Sequence, residues 1–276
     1  MHLKSVKRFI LFLIFLSLTS CATTKVNEFY DTLAPLIEQR DISGAAAFAA
    51  DFYQDCDKYN KLLYSLELGF LAHLNGDFKE SNTAFENAKY IYSIKDYTST
   101  FFNNDTLLPS YYLGEDYEMA YTNFICALNY LKTRKFKRKR DEAAVEARQV
   151  NNLFNKIKID KKNTIYKDDP FIRYFMGLVY QNAGFLNDAM VSYKLALTAY
   201  ANYNICDMKV PEDLVNNLYT IYCHYGLSED AKNLRKTYPY AKQLYTNDNG
   251  TLFIVNYNGL APKRVEQIVT LSFDLA

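Results

Sequence analysis

Tryptophan is missing from this chain, and 9 glycines and 6 prolines are all that punctuate its 276 residues. An all-β chain needs a turn about every ten residues, built largely from those two types, so helices are the first expectation. Charge of one sign is lacking too: 32 Lys and Arg face 31 Asp and Glu, for a formal net charge of +1. With 49% hydrophobic residues, that balance excludes a disordered tail and a basic protein that coats nucleic acid. What is plentiful is Tyr, at 25 copies, and Phe, at 19.

Reactive motifs are equally scarce. Beyond residue 20 the only histidines are His73 and His224, and neither has a second histidine or a carboxylate at HExxH spacing. No G-x-S-x-G elbow, P-loop or Gly-rich strand-to-helix turn occurs. The pairs Glu115-Asp116, Asp168-Asp169 and Glu212-Asp213 have the residue types of a glycosidase, which needs two carboxylates around one bond. Two of these pairs precede helical patterns, where acids cap free N–H groups and complement the macrodipole, and that is the first reading. The expectation is a non-enzyme with no catalytic residue, no cofactor and no metal. Cys56, Cys126, Cys206 and Cys223 show no CxxC; if exported they have three possible pairings, and at least two of them are expected as small buried hydrophobes.

The amino end stands apart. Lys4, Lys7 and Arg8 precede an apolar run from Phe9 to Leu18, the anatomy of a secretory signal. The run is too short for a membrane-crossing helix, which takes about 20 residues. Leu18-Thr19-Ser20-Cys21 then resembles a bacterial lipobox. The resemblance implies a diacylglycerol on the Cys21 thiol, cleavage ahead of it, and acyl chains such as palmitate holding the mature chain on a membrane outside the cytosol. Ala22, where Asp would signal retention, is similar to lipoproteins sent to the outer membrane, so the expected place is that membrane, facing the periplasm. Without residues 1–20 the formal net charge falls from +1 to −2.

Internal repeats govern the rest. From Pro170 to Tyr200, Met176-Gly177-Leu178-Val179-Tyr180, Gly184, Ala189, Tyr193 and Ala196 resemble the tetratricopeptide pattern of apolar-Gly-x-x-Tyr, turn Gly, small residue, aromatic and Ala. Small residues belong where two antiparallel helices approach, and large ones plug the sides of that contact. The same frame fits Leu68-Gly69, Ala72, Gly76, Ser81, Phe85 and Ala88. Two looser copies follow it, through Ala127, Tyr130, Ala143, Ala147 and Val150, and through Leu218, Tyr222, Gly226 and Ala231, with Arg235 in an aromatic slot. Residues 26–59 are helix-rich and read as a leading cap or a fifth hairpin. Asp96 to Pro109 reads as a loop.

The fold class expected is therefore mainly α: a tetratricopeptide-like array of antiparallel helical hairpins, an α-solenoid, with a small C-terminal β-hairpin or sheet. The hairpin rests on the β-rich runs Thr251–Tyr257 and Val265–Phe273 about the turn Asn258-Gly259. The expected division is a signal peptide over 1–20, helical repeats over 21–245 and the β-hairpin over 246–276. The lipobox, Ala127-Leu128-Asn129-Tyr130-Leu131, Glu142–Asn151 and Gly259-Leu260-Ala261-Pro262-Lys263 together resemble a family of uncharacterised bacterial TPR-containing lipoproteins. That family has no established reaction, so the resemblance implies architecture alone.

First helices of stacked hairpins line an inner wall. The positions this frame assigns to a groove are Phe70 and His73, with Leu66 beside them; Phe124 and Leu128; Tyr174, Leu178 and Gln181; and Asn216, Thr220 and His224. Apolar anchors and hydrogen-bonding side chains in that mixture suit an extended peptide or a partner helix, while ordinary core is the competing reading of the apolar members. In the resembling superfamily Lys and Asn on these helices clamp a terminal carboxylate; Leu66 and Phe70 occupy two of those slots here, which disfavours that ligand. Lys132, Arg134, Lys135, Lys137, Arg138, Lys139 and Arg140 form a basic patch, read either as a solvated inter-helix loop or as a contact for anionic lipids, wall polymers or an acidic partner. The expected function is a non-catalytic, membrane-anchored scaffold or adaptor with a protein or peptide partner in the cell envelope and no nucleic acid. The alternative is a lipoprotein that captures cell-wall glycan or peptide fragments.

Overall fold

The computed structural model describes residues 21–56, 60–101, 112–133, 137–160, 168–202, 208–244 and 254–255. Contacts divide the chain at Gln243 and Leu244. Among the described residues of the first unit, ten helices follow one another as five antiparallel hairpins: α1 (Cys21–Glu38) and α2 (Ile42–Asp55), α3 (Lys61–Asn75) and α4 (Phe78–Phe101), α5 (Asp116–Lys132) and α6 (Lys137–Asp160), α7 (Pro170–Ala183) and α8 (Leu186–Asn202), α9 (Glu212–His224) and α10 (Ser228–Thr237).

Turn chemistry sets the hairpins. At the end of α7, Gly184 has φ 85°, its amide bonds to the Gln181 carbonyl at 3.1 Å, and Phe185 N reaches back to Tyr180 O at 2.9 Å. Gly76 closes α3 in the same way at φ 90°. These bonds satisfy carbonyls that a helix end leaves bare, and the left-handed backbone they need disfavours any residue with a Cβ. Gly184→Ala is therefore expected to lower stability by about 1–2 kcal/mol, read as a fall in the urea midpoint.

Within a hairpin, small faces large. The Phe85 ring lies against Gly69, where an added Cβ would come within 2.7 Å of Cδ1, and the Tyr193 ring covers Gly177 so closely that a Cβ there would overlap it. Ala127, Ala143 and Ala147 are fully buried at the crossing of α5 and α6. The last hairpin inverts the scheme: Tyr219 is on the first helix, and the Arg235 guanidinium of the second lies 4.6 Å from its ring centre. In the first hairpin Phe29, Phe48, Phe52 and, from α3, Tyr64 form an aromatic core, with Phe29–Phe52 centroids 5.0 Å apart.

Successive helices pack on one another, and beyond that the principal contacts join first helices only, α3 to α5 and α5 to α7. A stack whose first helices approach while its second helices do not is curved, with the first helices on the inside.

Three expectations change. The C-terminal β-hairpin is corrected: every element among the described residues is a helix, and the fold class is all-helical. Ile254 and Val255, in the middle of the expected first strand, are not in a strand, and Ile254 is 84% exposed. The rest of 246–276 lies outside the described residues apart from these two. The β propensity of Thr251–Tyr257 is a preference for a half-buried pleated surface, and a two-stranded hairpin without a covering layer is marginal in water. Asp96–Phe101, expected as loop, continues α4. The basic run is mainly helical, Lys132 ending α5 and Lys137–Arg140 opening α6.

Candidate functional site

Burial sorts the groove positions into two groups. Phe70, Tyr174, Leu178, Gln181 and Thr220 are half-buried and His224 is exposed, its ring 5.0 Å from that of Tyr225. His73, Phe124, Leu128 and Asn216 are buried, each between helices. Phe124 fills the seam between α5 and α7, its centroid 5.5 Å from Phe171 and 4.6 Å from Phe175. Asn216 Oδ1 accepts from the Lys242 amide at 3.0 Å. Gln181 joins three helices: its Oε1 accepts from the Tyr193 hydroxyl of α8 at 2.6 Å, and its Nε2 donates to Asn217 Oδ1 of α9 at 3.2 Å.

Side chains outside the sequence-based set complete the inner wall. Leu74, Tyr121 and Phe171 are 38%, 41% and 36% exposed. Tyr121 and Phe171 each stand three residues before a named position, Phe124 and Tyr174, one turn back on the same helical face. Extending the frame by that turn would have found both.

Three buried polar nodes tie the hairpins together. In the first, His73 Nδ1–H donates to Asn129 Oδ1 at 2.5 Å, while Asn129 Nδ2 donates to Ser81 Oγ at 2.8 Å and to Asn82 Oδ1 at 2.7 Å. Burial holds the imidazole below its ordinary pKa, Asn129 offsets part of that and Lys132 adds to it, so the ring is neutral at pH 7. In the second, Lys89 Nζ lies 2.5 Å from Glu86 Oε1, 3.0 Å from Glu146 Oε2 and 3.1 Å from Gln149 Oε1. In the third, fully buried Arg173 pairs with Asp168, donates to Asn151 Oδ1 and lies 4.7 Å over the Phe154 ring.

The second node gathers potential metal ligands. Glu86, Cys126 and Glu146 place one ligand atom each within 4.8 Å of one another. Lys89 stands among them, and its ammonium already supplies the positive charge these carboxylates need. Burial pushes the Cys126 thiol well up, with Lys89 pulling it partly back, so the sulfur is protonated and a poor ligand or nucleophile. Cys126 and Cys223 are free thiols, and Cys56 Sγ donates to Tyr53 O at 3.1 Å; Cys206 lies outside the described residues.

All three acidic pairs occur at helix starts. Glu115 precedes α5, where its amide donates to Glu118 Oε2 at 2.7 Å; Asp169 caps α7 through Ile172 N at 2.9 Å; Glu212 and Asp213 form the first turn of α9. Of the basic patch, Lys132 and Arg140 are exposed, and Arg140 Nη1 donates to Asn182 O at 3.3 Å. The side chains of Arg134, Lys135, Lys137, Arg138 and Lys139 lie outside the described residues, as do residues 1–20 and the Cys21 side chain, although Cys21 opens α1. No helix among the described residues is long and apolar enough to cross a membrane.

Among solved structures, the crystal structure of BtubC (BKLC) from P. vanneervenii is similar over 92% of this chain and 97% of that one, at 16% identity and a TM-score of 0.51. A crystal structure of MamA is similar over 80% of this chain and 98% of that one, at 15% identity and a TM-score of 0.48. No family model matches the chain, and no curated protein matches it. At such identity the likeness is one of fold. The BtubC likeness agrees with the five antiparallel hairpins, and the chain has a tetratricopeptide-like helical-repeat fold.

Proposed function

We propose that this chain is a non-catalytic scaffold or adaptor of the bacterial cell envelope, held by lipid at Cys21 on the outer membrane facing the periplasm, and that its inner wall docks another protein. The observation that carries the docking is the exposure of Tyr121 and Phe171 on adjoining first helices, joined through Phe124. Large aromatics left partly open in a row are what a buried interface core uses. The lipid tether rests on Leu18-Thr19-Ser20-Cys21 and the basic, apolar segment before it. A non-catalytic role is supported by the site chemistry: the acidic pairs stand at helix starts, and Glu86 and Glu146 are matched to Lys89.

A second reading, capture of wall glycan or peptide fragments, is favoured by one cleft. A hollow of about 410 Å³ between α4 and α5 is lined by Asn82, Asn87, Phe78 and Tyr130, the amides and rings that sugars use. In growing cells, labelled palmitate is expected to enter the wild-type chain and not Cys21→Ser, and cross-linking in intact envelopes is expected to trap a protein. Failure of the label to enter removes the tether. Recovery of a sugar in place of a protein moves the function to the second reading.

A further inference from the structure

The cleft between α4 and α5 opens on the most basic part of the chain. It runs from Lys79 to Asn87 along α4, about 12 Å of helix, with Tyr130 and Thr133 of α5 opposite. At one end Lys132, the last residue of α5, lies 5.2 Å from the centre of the Phe78 ring. Lys79 and Lys132 are exposed, and neither has an ion pair among the described residues. Just beyond Thr133, α6 opens with Lys137, Arg138, Lys139 and Arg140, and no acid stands in its first turn. Cations there face the positive end of the macrodipole, which costs helix stability unless an anion lies against them. That helix reaches the same cleft: after burial, Glu146 and, to a lesser degree, Glu142 push the Tyr130 phenol up.

Nearby acids do not cancel this charge. Glu86 lies 2.5 Å from Lys89, which neutralises it. The acids of the two turns beside the cleft are Asp77, Glu80, Asp141 and Glu142, half as many as their cations, Lys79 and the seven from Lys132 to Arg140. Within the cleft the chemistry suits hydroxyls. Asn87 has no partner among the described residues, and Asn82 Oδ1 takes the Asn129 amide at 2.7 Å, which leaves its own Nδ2 without one. Phe78 and Tyr130 are half-buried and add rings. Amides and rings hold a sugar, and unpaired cations at one mouth hold an anionic group.

We propose that this cleft binds an acidic saccharide, with one or two sugar rings among Phe78, Asn82, Asn87 and Tyr130 and a carboxylate or phosphate on Lys79 and Lys132. The basic run beyond Lys132 adds attraction at longer range. The inference rests on the second reading above and names the class of glycan.

The test titrates the full chain in nonionic detergent with two matched pairs. N-acetylglucosaminyl-N-acetylmuramic acid and N,N′-diacetylchitobiose differ by one carboxylate-bearing lactyl group; N-acetylglucosamine is compared with its phosphate ester. A glutamate oligomer stands for an acidic peptide. At about 50 mM salt the acidic member of a pair is expected to bind at least about fivefold more tightly, a ratio that falls as salt rises to about 500 mM. A preference in one pair only names that group as the anion. The double variant Lys79→Gln, Lys132→Gln is expected to cut the ratio below about twofold and to leave the neutral sugars unchanged. Asn87→Ala is expected to weaken both members of a pair several-fold. All three positions are exposed, so the fold stands, which circular dichroism checks. Equal affinity within both pairs overturns the inference and leaves glycan capture standing. A ratio untouched by the lysine variant, or binding untouched by Asn87→Ala, overturns the site. A glutamate oligomer bound as tightly as the acidic sugars overturns the saccharide in favour of a peptide. Binding of no saccharide overturns the second reading as well, while envelope cross-linking judges protein docking separately.

Discussion

Tyr193→Ala is expected to cost about 3–5 kcal/mol, the range for deleting a buried aromatic, measured as a lowered urea midpoint. The ring is fully buried over Gly177, so its removal opens the crossing of α7 and α8 and leaves a void that a glycine cannot fill. Its hydroxyl also holds Gln181, which reaches on to Asn217 of the next hairpin. Tyr193→Phe keeps the ring and loses only the hydroxyl, so about 1–2 kcal/mol is expected for that variant. A loss below about 1 kcal/mol for the alanine variant would mean that the crossing collapses without the ring, and the close packing drawn for this hairpin would be mistaken.

Lys89→Ala is expected to cost about 3–5 kcal/mol, because it leaves Glu146 charged and buried with no cation. Burial pulls the Lys89 ammonium down, but Cys126, Glu146 and Glu86 outweigh that and hold its pKa above the ordinary lysine value. Glu146 is raised, burial being partly opposed by Lys89. Without Lys89 that opposition is gone and the Glu146 pKa rises further. The folded state then keeps a proton that the unfolded state has released, so stability falls as pH increases from the ordinary glutamate value up through the folded one. Melting of Lys89→Met is accordingly expected at a higher temperature at pH 5 than at pH 8, with a wider gap than in wild type. The double variant Lys89→Met, Glu146→Gln is expected to recover most of the loss. If the single variant melts alike at both pH values, Glu146 does not carry the buried charge.

The hairpins were legible because their determinants are local. Gly76, Gly184 and Gly226 end first helices at left-handed backbone, and Gly69 with Phe85 or Gly177 with Tyr193 pair a missing side chain with a ring at fixed spacing. The wall was harder to read because a helical period says which face a residue is on, not what stands opposite. His73 falls on the groove face by spacing, yet Asn129, on another hairpin, captures it. Lys89 looks like any solvated lysine until Glu146 and Gln149 arrive from α6. The loop expected over Asp96 to Pro109 rests on Asn103-Asn104-Asp105, and its first six residues lie ahead of that turn signal, so α4 carries on through Phe101; 102–109 lie outside the described residues. Ile254 and Val255 show the opposite failure, since strong β propensity specifies a strand only where a neighbouring surface receives it.

Because each hairpin, in its principal contacts, leans only on the ones beside it, the repeats formed by the described residues have no single keystone. Pulled from its two extremities, such a body should yield like a concertina, giving up one fold at a time at modest force and closing again when the load is released. A clamp rupturing all at once needs distant strands locked across each other, and nothing of that kind joins α1 to α10 among the principal contacts.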